Sequence, residues 1–75
     1  MFEIKMAFLN DRTKGRHIVF KLCAQGDDVV LNRYDNSSYK QVAKWHITHL
    51  YDALEAFHDR IEDVMGNGYI LMVTN

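Results

Sequence analysis

THLYDALEAFHDRIEDVMG, residues 48–66, places Leu50, Leu54, Phe57, Ile61 and Val64 at steps of four, three, four and three, which lines up one apolar stripe on an α-helix. Ala53 and Met65 flank the stripe, and Asp52, Glu55, Asp59, Glu62 and Asp63 cover the opposite surface with only Arg60 among them. One face of this helix is made to pack and the other is acidic. Thr48 stands where an N-cap hydroxyl would take up an orphan backbone N–H, and Asp52 adds negative charge to the first turn. Gly66-Asn67-Gly68 offers residues that tolerate the left-handed backbone of a helix end. A helix with a single apolar stripe needs a second layer to lie on, so the flanking chain is read for a sheet.

Upstream, FEIKMAFL at 2–9 alternates Phe2, Ile4, Met6 and Phe8 with Glu3, Lys5, Ala7 and Leu9, a half-buried strand whose larger side is expected to face the helix. The polar turn at 10–15 ends in Gly15 and leads to RHIVFKLCA at 16–24, where Ile18, Phe20, Leu22 and Ala24 alternate with His17, Val19, Lys21 and Cys23. These two segments predict a hairpin. Gln25-Gly26-Asp27-Asp28 marks a second turn, VVLNRY at 29–34 a third strand, and Asp35-Asn36-Ser37-Ser38 a third turn.

From Tyr39 to Ile47 a period of two puts Tyr39, Gln41, Ala43, Trp45 and Ile47 on one side of a fourth strand. A short helix from Ser38 is the alternative, because Val42, His46, His49 and Leu50 also fit a helical period. The strand is favoured: Trp45, Ile47 and Thr48 suit a strand end and a cap, and one helix from Ser38 to Met65 would be unusually long for so small a domain. Downstream, YILMV at 69–73 is almost continuously apolar, as in a strand inside a sheet, and it is expected beside an early strand such as the first. The predicted class is α+β: an antiparallel sheet of about five strands in the order β-β-β-β-α-β, with one amphipathic helix packed on one face. The other face, with Ala7, Leu9, Val19, Cys23 and Tyr34, is then semi-apolar and open to a partner or a second copy.

Seventy-five residues, 48% of them apolar and 25% charged, suit one small globular domain near the size where a single core barely suffices. One cysteine excludes an intrachain disulfide, which fits a reducing, cytoplasmic setting. No apolar run is long enough to span a bilayer, and MFEIKMAFLNDR has charges inside its apolar stretch, unlike a signal peptide, so no membrane partner is expected. Proline, repeats and low-complexity segments are absent from the sequence, which reads as a complete small domain. The net charge of −1 hides a division: residues 1–47 carry eight Lys/Arg and five Asp/Glu, residues 48–75 one Arg and five acids.

Four histidines, His17, His46, His49 and His58, raise a metal site, and His46-x-x-His49 would share a helical face if the helix began early. Zinc needs three or four convergent ligands, and neither a second close pair nor a Cys-x-x-Cys is present, so no metal and no cofactor are expected. Cys23 lies in a strand pattern rather than at a helix N-terminus, and a free cysteine there is more often a small hydrophobe than a nucleophile. Glu55, Asp59 and Glu62 are a turn apart, but no opposing acid–base partner or phosphate-binding glycine loop accompanies them, and no enzyme is expected. Arg12, Lys14 and Arg16 make a basic hairpin tip, extended by Lys21, Lys40 and Lys44, that suits phosphates, although nucleic-acid binders are usually more basic overall. Tyr34, Tyr39, Trp45 and Tyr51 cluster around the third turn and the helix entry as candidate interface anchors, Trp45 having the alternative of completing the core.

In size and in the layout of a strand meander, one acidic helix and a closing strand, the chain resembles small phage-encoded proteins that block host defence systems, anti-CRISPR proteins among them. That resemblance implies a stoichiometric inhibitor occupying a functional surface of a larger complex, in some cases by presenting carboxylates where nucleic-acid phosphates would bind. The residues themselves support a protein-binding module whose partner is a larger basic protein or a nucleoprotein complex. Asp52, Glu55, Asp59, Glu62 and Asp63 with Tyr34, Tyr39 and Trp45 are its candidate contacts. The rival readings are a small nucleic-acid binder using Arg12, Lys14, Arg16, Lys40 and Lys44, and a subunit that self-associates through the uncovered sheet face or an edge strand.

Overall fold

Three hairpins joined end to end build four of the sheet's five strands. The structure, a computed structural model, describes residues 1–36 and 38–75, so Ser37 of the predicted third turn lies outside the described residues. Strands β1 (Phe2–Asp11), β2 (Arg16–Gln25), β3 (Asp28–Asp35) and β4 (Ser38–His46) form an antiparallel meander. A single 3-10 turn at Ile47–His49 leads into α1 (Leu50–Met65), and β5 (Ile70–Thr74) returns antiparallel beside β1. The sheet order is β4-β3-β2-β1-β5, the α+β layout that the sequence predicts. Residues 38–46 are a strand, which settles the choice between strand and helix there.

Turn chemistry fixes the registers. Asp11 opposes Arg16 across the first tip, where its carboxylate accepts from the Thr13 N–H at 3.1 Å and the Thr13 hydroxyl at 2.7 Å. The second link is the pair Gly26-Asp27, with Gly26 at φ 62°, a conformation that favours glycine in a two-residue hairpin turn. At the helix end, Gly68 N–H donates to Met65 O at 3.2 Å and Tyr69 N–H to Val64 O at 3.4 Å, a Schellman pair with Gly68 left-handed at φ 94°.

The helix buries Ala53, Phe57, Ile61 and Val64 against Ala7, Leu9, Ile18, Phe20, Leu22, Val29 and Leu31 of the sheet. Leu50 and Leu54 are half-buried on the same side, whereas Met65 is exposed. The stripe thus centres on Ala53 and Phe57, one position away from where residue size alone would put it.

Four expectations are corrected. First, β1 turns Ala7 and Leu9 toward the helix and leaves Met6 and Phe8 off that face, the reverse of a choice made by size, while Phe2, opposite Ala24, stays exposed. The hairpin register decides: Ala7 opposes Phe20 and Leu9 opposes Ile18, and cross-strand partners share a face. A bulge at Ile4, between the pairs Glu3–Cys23 and Lys5–Leu22, still lets Ile4 pack on the core. Ala7 and Leu9 therefore do not belong to the open face, which keeps Val19, Cys23 and Tyr34.

Second, β4 does not hold one alternation. Ala43 opposes Leu31 and Gln41 opposes Asn32, so Val42 is an extra residue that moves Tyr39 and Gln41 to the open face and Ala43 and Trp45 to the helix face. Third, β5 lies beside β1 as expected but at the sheet edge, with Ile70, Met72 and Val73 exposed, because β2 already occupies the other side of β1. Fourth, the cap belongs to His46. Its Nδ1 accepts the Thr48 N–H at 3.3 Å and lies 3.0 Å from the Thr48 hydroxyl, while α1 itself has no side-chain cap.

Candidate functional site

Helical geometry sets the first candidate surface. Asp52, Glu55, Asp59, Glu62 and Asp63 are all exposed on the side of α1 turned away from the sheet. Asp52 has His49 Nδ1 at 3.7 Å, and among the described residues Glu55, Asp59, Glu62 and Asp63 have no cation within salt-bridge reach. Glu62 and Asp63 also stand in the last turn, at the negative end of the helix dipole, with no basic residue in that turn. Glu55 and Asp59, and Asp59 and Asp63, are like charges four apart, each pair costing about 0.2–0.5 kcal/mol. This surface stays exposed at some expense to the fold.

Of the four aromatics grouped around the helix entry, Tyr51 is the one that joins this surface. It is 86% exposed and precedes Glu55, His58 and Glu62 at steps of four, three and four, so an aromatic ring stands in the same stripe as two of the acids. Trp45 is half-buried against the core cluster, so its packing completes the core rather than presenting a free indole. Tyr34 and Tyr39 stand on the opposite side of the sheet, ring centroids 5.2 Å apart, with the Tyr39 hydroxyl donating to Asn32 Oδ1 at 3.1 Å. The acidic set and the tyrosine pair thus lie on opposite faces of the molecule.

The open face has its own organisation. Cross-strand partners share a face, and the pairs Val73–Phe8, Phe8–Val19, Val19–Tyr34 and Tyr34–Tyr39 therefore set one continuous row across all five strands. His17 stacks on Phe8 at 5.6 Å, and Lys21 Nζ sits 5.4 Å from the Tyr34 ring centroid. Toward the second hairpin turn, Cys23, Val30 and Asn32 are buried although no second layer covers them. Lys21 paired with Glu3 at 3.8 Å and Lys44 paired with Asp28 at 3.4 Å stand on that floor, the aliphatic stems shielding it. Burial, with the nearby Glu3 carboxylate, raises the Cys23 thiol above its ordinary pKa, so the reactive thiolate is disfavoured.

The basic residues do not form one patch. Arg12, Lys14 and Arg16 share the exposed first hairpin tip. Lys40 opposes Arg33 on the helix side of β4, and Lys44 is held by Asp28 near the far end of that strand. Arg33 is itself engaged, its guanidinium donating to Asp35 at 2.6 and 3.0 Å, and that partner raises its pKa further. At the tip, hydrogen bonds from Thr13 hold the Asp11 carboxyl below its ordinary pKa. The four histidines are dispersed: His17 on Phe8, His46 in the cap, His49 near Asp52, and His58 edge-on to Phe57. Among the described residues no three His, Cys, Asp or Glu side chains converge, and no helix is long and apolar enough to cross a membrane. No protein-family model, curated protein or solved structure matches the chain.

Proposed function

We propose that this chain is a non-enzymatic protein-binding module whose acidic helix face docks on a basic surface of a larger protein or nucleoprotein complex, as a stoichiometric inhibitor of the phage anti-defence type would. One observation carries the reading. Glu55, Asp59, Glu62 and Asp63 are exposed, mutually repelling and without ion-pair partners among the described residues, two of them at the unfavourable end of the helix dipole. A surface that opposes folding is accounted for when it meets opposite charge in a complex. Tyr51 gives it an aromatic anchor of the kind that dominates interface energetics, and the acids steer encounter and set its salt dependence.

The test is affinity capture from a lysate of the host cell by the parent chain and by the Glu55→Gln/Asp59→Gln/Glu62→Gln variant, with elution against rising salt. The parent should retain a basic partner that salt releases, and the variant should fold as well or slightly better while losing capture and its salt dependence. Equal capture by the two chains would sink the reading.

A further inference from the structure

The open sheet face, which the helix proposal leaves unused, joins two features that lie apart in the sequence. Its row of Val73, Phe8, Val19, Tyr34 and Tyr39 crosses the sheet, and Phe8 to Tyr39 spans three strand gaps, roughly 14 Å at the usual strand spacing. Val73 and Tyr39 are more than half exposed, and Phe8, Val19 and Tyr34 are half-buried, so aromatic surface stays open along the row. Cations bracket it. Lys21, paired with Glu3, lies over Tyr34 on one side, and on the other the first hairpin continues about three residues past Phe8 to the tip carrying Arg12, Lys14 and Arg16. Among the described residues none of these three tip cations is held in a salt bridge.

The charge count supports an anionic occupant. Five of the ten acids sit on α1, on the far side of the sheet, while residues 1–47 carry eight Lys/Arg against five Asp/Glu. On the open face Lys21 and Lys44 are matched by Glu3 and Asp28, so the unpaired positive charge beside the row is that of the hairpin tip. Aromatic rings spaced along a face with cations at its margins are what unpaired bases and their phosphates require: stacking on the rings, phosphates at the guanidinium and ammonium groups. A duplex keeps its bases stacked inside and cannot use such a row. From this arrangement we infer that the open face is a stacking platform for single-stranded nucleic acid, with Phe8, Tyr34 and Tyr39 under the bases and Arg12, Lys14 and Arg16 along the phosphates. The molecule then presents an acidic face to protein and an aromatic face flanked by a basic tip to nucleic acid, a polarity suited to a nucleoprotein target.

Fluorescence anisotropy with dye-labelled oligothymidine and oligouridine of about ten nucleotides, a length within the usual range for one small domain, tests this at low salt. The parent chain should bind both, less well in salt, with a log–log slope of about −2 for three tip phosphates. A duplex of the same length should bind more weakly. Tyr39→Ala should weaken single-strand binding about five-fold to a hundred-fold, while Tyr39→Phe, which keeps the ring and loses only the hydroxyl bond to Asn32, should bind like the parent. Circular dichroism establishes that each variant is folded. The Glu55→Gln/Asp59→Gln/Glu62→Gln variant should bind the oligonucleotides no less tightly than the parent, so failure of this inference and failure of the helix reading are separable. Absence of binding to either strand, or a folded Tyr39→Ala that binds as tightly as the parent, overturns the inference.

Discussion

Replacing Phe57 by Ala tests the packing on which every surface assignment rests. Phe57 is fully buried at the centre of the helix stripe, in one cluster with Phe20, Leu22 and Leu31 from the sheet and Ala53 and Ile61 from its own helix. Truncating a buried Phe removes its transfer free energy and leaves a cavity that the surroundings close only partly, about 3–5 kcal/mol. A single domain of 75 residues has a total stability of about 4–11 kcal/mol at the usual per-residue range. The substitution therefore takes at least about a quarter of it, and at about 4–8 °C per kcal/mol for a domain of this size the thermal midpoint should fall by roughly 12–40 °C. Tyr51→Ala, on the exposed side of the same helix, should change stability by no more than about 0.5 kcal/mol. Thermal and urea unfolding followed by circular dichroism measures both. A Phe57→Ala midpoint within a few degrees of the parent would refute the assignment of the buried stripe, and with it the claim that the acids face outward.

Two further outcomes check the corrected geometry. Leu9→Ala should cost about 2–5 kcal/mol in urea titrations and Phe2→Ala, at a side chain 69% exposed, less than about 0.5 kcal/mol, the opposite of what side-chain size suggests. His46→Ala should cost about 0.5–2 kcal/mol through the lost cap on Thr48, and His46→Asn, which restores an acceptor at a similar reach, should recover most of it; an Ala variant as stable as the parent would remove the cap from the account.

Where the sequence could be read, the signal was local. The helix, its acidic surface and the order of strands follow from a 3.6-residue period and from turn residues such as Gly26 and Asn36, and these need no knowledge of neighbours. The central hairpin pair was legible too: Ile18, Phe20 and Leu22 face the core and His17, Val19, Lys21 and Cys23 do not, because β2 and β3 pair without a register shift. What failed lies on the other three strands, each interrupted once, at Ile4 in β1, Val42 in β4 and Met72 in β5. A bulge adds one residue, and one residue reverses every side chain beyond it relative to the alternation before it.

Those interruptions also decide what the open face can do. Without the extra residue at Val42, Tyr39 would share a face with Trp45 against the helix; with it, Trp45 stays on the core while Tyr39 stands beside Tyr34 in the open. Without the extra residue at Ile4, either Ile4 would leave the core or Phe8 would enter it. The row from Val73 to Tyr39 is therefore a product of registers, assembled from residues more than sixty positions apart, and no reading of one strand at a time contains it. The acidic helix face is the reverse case: its five acids lie within twelve positions of one element, so its chemistry was visible in the sequence while its isolation from Tyr34 and Tyr39 was not. The two candidate surfaces differ in legibility for the same physical reason that they differ in position. One is made by the winding of a single segment, and the other by pairings between distant ones.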